Sequence, residues 1–253
     1  MNKIAYITGA TSGIGKACAM KFADYSYNLI ITGRRKEILD ELADSIRKKY
    51  KVEVLTQCFD IRDRAAVKKS VKDLPMEWRE IDVLINNAGL ASGLNPIQEG
   101  LYDDWDKMID TNVKGLLYMT RYLVPLMILH NKGHIVNIGS IAGRDAYPNG
   151  NVYCGTKAAV DSITRGMRMD LLQYGIRVSL VEPGAVETEF SEVRFKGDKN
   201  KAKNVYEGYE PLTGDDVADV VYFVCSMPAH VNISDVMVVP TAQANPFLIH
   251  KNL

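Results

Sequence analysis

Tyr153 and Lys157, four apart in Tyr153-Cys154-Gly155-Thr156-Lys157, are the residues of this chain best suited to moving a proton. On a helix that spacing puts both side chains on one face. A phenol with a pKa of about 10 is a poor base at neutral pH, and lowering it to about 7 takes roughly 4 kcal/mol. An ammonium about 4 Å away, at an effective dielectric of about 20, supplies that much. Such a pair can take a proton from an alcohol or return one to a carbonyl oxygen. Roughly one Tyr-x-x-x-Lys arises by chance in a chain this rich in both residues, so the weight rests on its neighbours. Ser140 follows the apolar run His134–Ile138 and Gly139, which sets its hydroxyl at the carboxyl edge of a sheet, where it could orient the reacting oxygen.

A second constellation lies at the start of the chain. Gly9, Gly13 and Gly15, with Thr11, Ser12 and Ile14 between them, follow an apolar strand and open a helix in the spacing G-x-x-x-G-x-G. Glycine permits close backbone approach, and the free N–H groups of a helix N-terminus favour a pyrophosphate. A carboxylate about 20 residues further on would grip the ribose 2′-hydroxyl of NAD. Here the second strand ends Ile31-Thr32-Gly33-Arg34-Arg35, with two guanidinium groups and no acid. That arrangement predicts NADP, whose 2′-phosphate they attract.

Other residues must form the frame that brings these groups together. Short β-branched runs alternate with helical periodicity, which predicts βαβ units and a parallel sheet. Strands are expected at Ile4–Thr8, Asn28–Thr32, Val52–Cys58, Val83–Ile85, His134–Ile138, Arg177–Val181 and Val236–Val239. Helices are expected to begin near Gly13, Lys36, Asp63, Tyr102, Asn151 and Gly214. No linker or repeat divides the 253 residues, so the fold class expected is α/β: a single doubly wound Rossmann domain over 1–253, with about seven parallel strands. The irregular stretch 189–211 follows a strand's carboxyl end and reads as a substrate lid.

Composition narrows the classes. The 31 basic residues balance 31 acidic ones, so no net field recruits nucleic acid or an anionic membrane. The longest apolar run, around Leu123 to Leu129, is too short to span a bilayer, and the opening Met1 to Ile7 leaves no room for a signal peptide. A cytoplasmic protein is expected. Cys18, Cys58, Cys154 and Cys225 show no paired spacing, and His130, His134, His230 and His250 form no metal-ligand pattern, so neither disulfides nor a metal are expected.

Taken in order, these motifs resemble those of the short-chain dehydrogenase/reductase family over essentially the whole chain. Thr8–Gly15 resembles its TGxxxGxG, Asn86-Asn87-Ala88-Gly89 its NNAG, Ser140, Tyr153 and Lys157 its active site, and Pro183-Gly184-Ala-Val186-Glu-Thr188 its PGxVxT. On spacing alone Asn112, in Asp110–Gly115, would be helix-surface decoration. The resemblance makes it catalytic, holding a water in a proton relay with Lys157. It also implies that Asp60 and Ile61 flank the adenine, that Asn87, Ala88 and Gly89 lie at the adjoining ribose, that Lys157 also binds the nicotinamide ribose, and that Thr188 touches the carboxamide.

Glu189-Phe-Ser-Glu-Val-Arg-Phe-Lys-Gly-Asp198 and Pro228-Ala-His-Val-Asn-Ile233 are similar to a branch of NADP-dependent 3-hydroxy acid dehydrogenases acting on serine and L-allo-threonine and reducing malonic semialdehyde. That resemblance implies a homotetramer. The carboxylate of a 3-hydroxy acid needs a cation, and Arg194 or Lys196 in the lid and Arg144 beyond the serine are the candidates. Two other readings stay open: a reductase of another carbonyl compound, and a non-catalytic NADP-sensing protein.

Overall fold

A computed structural model of the chain describes residues 2–252. Strands β1 (Ile4–Ile7), β2 (Asn28–Gly33), β3 (Val54–Cys58), β4 (Val83–Asn86), β5 (His134–Ile138), β6 (Arg177–Pro183) and β7 (Asp235–Val238) form one seven-stranded sheet in the order β3-β2-β1-β4-β5-β6-β7. Every pairing is parallel. This is the single doubly wound Rossmann-like domain expected from the periodicity. Each strand lies within about two residues of its expected limits.

The sheet is buried on both faces because its strands carry apolar side chains at consecutive positions. Ala5, Ile7, Leu29, Ile31, Ile85 and Val136 face one layer, packed by helices α1 (Gly13–Asp24), α2 (Lys36–Tyr50) and α9 (Gly214–Ser226). Ile4, Tyr6, Ile30, Leu84 and Ile135 face the other layer, under α3 (Arg64–Lys72), α5 (Leu116–Leu129) and α6 (Asn151–Asp170). At the open edge β7 is only half covered, with Asp235 and Met237 exposed.

The strand order reverses between β1 and β4, which pair Ala5 with Val83, Tyr6 with Leu84 and Ile7 with Ile85. In a parallel sheet the chain leaves these two strands in opposite directions, opening a crevice at their carboxyl ends. Sequence periodicity missed three features. The helix starting at Tyr102 is not continuous: α4 (Tyr102–Ile109) passes through a π-helical turn, Asp110–Gly115, into α5. The 189–211 stretch contains α7 (Phe190–Arg194) and α8 (Lys199–Asn204), and the C-terminal segment forms a hairpin of β8 (Gln243–Asn245) and β9 (Leu248–Ile249).

Helix α9 begins in a capping box, with the Thr213 hydroxyl accepting from Asp216 N–H and the Asp216 carboxylate accepting from Thr213 N–H. Its first residue, Gly214, packs on the backbone of Gly13, so the cap also buttresses the glycine turn. Thr213→Ala should lower unfolding free energy by about 1 kcal/mol. Urea denaturation should show a lower midpoint at an unchanged slope.

Candidate active site

The glycine turn is built by hydrogen bonds from across the crevice. Thr8, at the end of β1, receives Asn87 N–H and Ala88 N–H on its hydroxyl, both at 3.0 Å. The Asn87 side-chain amide donates back to the Thr8 and Gly9 carbonyls at 2.9 and 3.1 Å. Gly9 has a φ of +69°, and a methyl added there would sit 2.9 Å from Ala88 Cα. A methyl on Gly15 would run into the Gly9 carbonyl oxygen and the Asn87 amide. The glycines at 9 and 15 thus bring two loops into contact and leave the N-terminus of α1 open toward the crevice. Asn87, expected at a ribose, commits its amide nitrogen to the turn itself.

The crevice is a cavity of about 590 Å³, large enough for a dinucleotide with a small substrate. Its lining includes Gly9, Thr11, Ser12, Gly13, Ile14, Arg34, Arg35, Asp60, Ile61, Asn87, Ala88 and Gly89 at one end. Toward the other end it includes Ser140, Tyr153, Lys157, Pro183, Gly184, Val186, Thr188 and Arg194. Gly15 lies just behind, inside α1. Thr188 packs against Gly13, 3.1 Å from where a methyl there would lie. At the end of β2 Arg35 donates to Thr11 Oγ1, and Arg34 lies 3.7 Å from Asp60. With two guanidinium groups and no acid at the close of β2, the site fits a dinucleotide bearing a 2′-phosphate.

At the chemical end, β5 delivers Ser140, which caps a short 3-10 turn with its hydroxyl accepting from Ala142 N–H at 3.1 Å. Helix α6 delivers Tyr153 and Lys157, both buried. Lys157 Nζ donates to the Ile138 carbonyl at 2.9 Å and lies 6.0 Å from the Tyr153 ring centroid. Burial depresses the Lys157 ammonium to about 8. Burial also raises Tyr153 well above the usual phenol value, opposed first by the charge of Arg194 and then by the Ser140 hydroxyl. The sequence expectation assigned the tuning of the phenol to Lys157. Here Arg194 is the nearer cation to the ring, 5.0 Å from its centroid.

Asn112 sits in the π-helical turn, a distortion that turns its side chain inward. Its amide donates to the Leu90 carbonyl at 2.8 Å and to Thr156 Oγ1 at 3.0 Å, and its oxygen accepts from Leu90 N–H at 2.8 Å. The point where a methyl would project from Gly89 lies 3.3 Å from Asn112 Oδ1 and 3.7 Å from Lys157 Nζ. Both side chains therefore lie beside Gly89, with the polar atoms of Asn112 already engaged by Leu90 and Thr156.

The three candidate cations separate clearly. Arg144 is already engaged: its guanidinium grips the carboxylate of Glu182, which is fully buried on β6, and so braces the Ser140 turn. Lys196 pairs with Asp104 at 2.8 Å. Arg194 donates to the Tyr147 hydroxyl at 2.8 Å, lies over the Phe190 and Tyr153 rings, and leaves its buried Nε without a partner among the described residues.

Several contributors escaped the sequence reading. Thr8 and Thr156 act through the hydrogen bonds above. Gln243, from the C-terminal hairpin, accepts from Ala185 N–H at 2.8 Å and holds the Pro183–Val186 loop. Hydroxyl-bearing side chains are too common, and the hairpin too remote in sequence, for spacing to have flagged them. Asn86, the first residue of Asn86-Asn87-Ala88-Gly89, donates its amide to Asn137 Oδ1 at 2.9 Å and Thr120 Oγ1 at 3.1 Å, tying β4 to β5 and α5.

A parallel doubly wound sheet with this turn, cavity and serine–tyrosine–lysine cluster defines a nucleotide-dependent oxidoreductase of the Rossmann type. More specifically, the chain belongs to the short chain dehydrogenase family, whose model matches residues 3–199. It is 48% identical over 242 residues to the NADP-dependent 3-hydroxy acid dehydrogenase of Salmonella typhi, an alignment covering 95% of this chain and 96% of that one. It is 44% identical over 245 residues to sulfoacetaldehyde reductase 2 of Chromohalobacter salexigens, covering 96% of each. Among solved structures, the closed form of serine dehydrogenase complexed with NADP+ superposes with a TM-score of 0.92 at 44% identity, covering 98% of this chain and 100% of that one.

The buried ammonium makes stability depend on pH. Between about 8 and the ordinary lysine value of 10.5 the unfolded chain holds the Lys157 proton and the folded chain does not, so this residue makes stability rise with pH in that window. Below it the folded protein bears the full cost of a buried charge. Lys157→Met should therefore gain stability relative to wild type most at pH 7, with the advantage shrinking as pH rises past 8. Urea midpoints across that range check it, and a pH-independent difference would contradict it.

Proposed function

We propose that this protein is an NADP-dependent oxidoreductase that moves a hydride between the cofactor and the carbinol carbon of a short 3-hydroxy acid of the serine, allo-threonine or 3-hydroxypropionate type. One observation carries the substrate class: Arg194 lines the same cavity as Ser140 and Tyr153, with its guanidinium against the Tyr153 ring and its buried Nε without a partner among the described residues. An anionic group held there keeps a hydroxyl a few atoms away within reach of the phenol. Arg144 and Lys196 are already paired, so Arg194 is the cation left for it.

NADP supplies the hydride acceptor, or in reverse the donor. Thr11, Arg34 and Arg35 hold the 2′-phosphate, the N-terminus of α1 the pyrophosphate, and Lys157 and Thr188 the nicotinamide end. Ser140 hydrogen-bonds the reacting oxygen and Tyr153 moves its proton. With its pKa raised by burial, Tyr153 is protonated at neutral pH and poised as the acid for carbonyl reduction. Oxidation needs the phenolate, which the charges of Arg194 and Lys157 favour. In that direction Tyr153 accepts the substrate's hydroxyl proton, and the phenolate is restored when the proton leaves past Lys157 to solvent beside Gly89. The 189–211 segment, bearing Arg194, closes over the substrate as a lid.

A cytoplasmic homotetramer belongs to the same reading. Its support is that all four cysteines are free thiols, and that Tyr102, Ile109, Leu117 and Met169 leave apolar side chains exposed on α4, α5 and α6.

The likeness to a sulfoacetaldehyde reductase favours a second substrate with the same layout, a sulfonate in place of the carboxylate, since a guanidinium binds either. The test is a panel of serine, allo-threonine, 3-hydroxypropionate, 2-hydroxyethanesulfonate and neutral short alcohols, each with NADP and NAD. We expect NADP-linked turnover of the anionic alcohols, abolished in Tyr153→Phe. Arg194→Ala should raise KM for the anionic alcohols by about 10–100-fold, the value of a charge-assisted hydrogen bond, with KM for neutral alcohols little changed, and should lower kcat on both because the phenolate loses a neighbouring charge. An unchanged KM for the anionic alcohols, with kcat lowered on all, would show that Arg194 serves Tyr153 and not the substrate.

A further inference from the structure

Arg35 has two partners. Its Nε and Nη2 donate to Thr11 Oγ1 at 3.3 and 3.0 Å, which lays the guanidinium along the glycine turn. Its Nη1 reaches the other way and pairs with Glu189 Oε2 at 2.8 Å. Glu189 immediately precedes α7, so this carboxylate belongs to the segment that carries Arg194. Arg34 is differently placed, 3.7 Å from Asp60, whose carboxylate is already held by Arg62. Thr11, Arg34, Arg35 and Glu189 all line the one cavity.

We propose that Glu189 competes with the cofactor's 2′-phosphate for Arg35, making it a specificity-determining residue that holds the preference for NADP over NAD below what the two arginines would give. The proposal rests on the NADP reading above. A carboxylate and a phosphate monoester use the same guanidinium fork, so the two anions cannot both take the Nη1 edge. The Arg35 and Glu189 side chains are 43% and 51% exposed, and exposed pairs of this kind are weak. A phosphate with close to two negative charges displaces such a carboxylate.

The displaced Glu189 remains tethered nearby as a like charge, which weakens the hold on the phosphate. NAD, with a hydroxyl at that position, leaves the ion pair intact and escapes the penalty. Linkage makes the competition reciprocal: phosphate binding releases the start of α7, and anything that draws Glu189 away tightens the phosphate.

The test uses fragments that lack nicotinamide. Dissociation constants for adenosine 2′,5′-bisphosphate and for 5′-AMP are measured by calorimetry on the wild type and on Glu189→Gln. We expect the wild type to favour the bisphosphate, and the variant to bind it about three- to five-fold tighter with 5′-AMP unchanged. The gain should shrink at high salt, which screens exposed charges. An unchanged ratio of the two constants in the variant overturns the competition while leaving the NADP reading standing. A wild type that binds both fragments equally overturns the NADP reading and this proposal with it.

Discussion

The pairing of β1 with β4 is the constraint on which the rest of the site depends. It makes the chain turn away from the two strands in opposite directions, and the crevice so opened is lined by whatever follows each strand. After β1 comes the glycine turn, and after β4 comes Asn87-Ala88-Gly89. The Thr8 hydroxyl and the Asn87 amide lock these loops together across the gap. That contact is possible only because Gly9 and Gly15 present no side chain to it. The glycine-turn end of the cavity is thus a product of strand order, with the glycines removing what would obstruct it.

The chemical end depends on a different balance, between burial and charge. Tyr153 and Lys157 are both taken out of water by α6, and burial disfavours the charged form of each: it raises the phenol and depresses the ammonium. At neutral pH that leaves a neutral phenol beside a lysine that still carries its proton. The Ile138 carbonyl gives the ammonium one acceptor, and Arg194 adds a positive charge over the phenol ring. The π-helical turn contributes by presenting Asn112 to the same region, with its amide fixed by Leu90 and Thr156. The charges and hydrogen bonds around Tyr153 and Lys157 are therefore drawn from α6, the π turn and α7.

Legibility in the sequence followed the range over which each feature is determined. Alternating apolar runs made all seven strands readable, because a strand buried on both faces must be apolar at consecutive positions. Gly9, Gly13 and Gly15, and Tyr153 with Lys157, were readable because each spacing implies its own local geometry. The pairing of Arg144 was not legible because its partner, Glu182, lies 38 residues away, and only the β5–β6 pairing brings the two together. The same reason hid Gln243, whose contact with Ala185 spans 58 residues. The π turn left no trace in the periodicity, since adding one residue to a helical turn shifts the apolar pattern less than ordinary variation does.

The segment bearing Arg194 shows how a long excursion from the sheet can still hold a charge in place. At its start Glu189 is tied to Arg35, in its middle the Arg194 carbonyl accepts from Gly93 N–H at 3.0 Å, and just beyond, Lys196 pairs with Asp104. Asp104 is itself fixed by the Ser92 hydroxyl at 2.7 Å. Three attachments to three different parts of the scaffold leave the guanidinium little freedom, although α7 is only five residues long. Two of the three are ion pairs involving exposed groups, weak enough to open. Arg194 thus reaches the Tyr153 ring from outside the sheet, while Tyr153 and Lys157 stand on α6 and Ser140 at the end of β5.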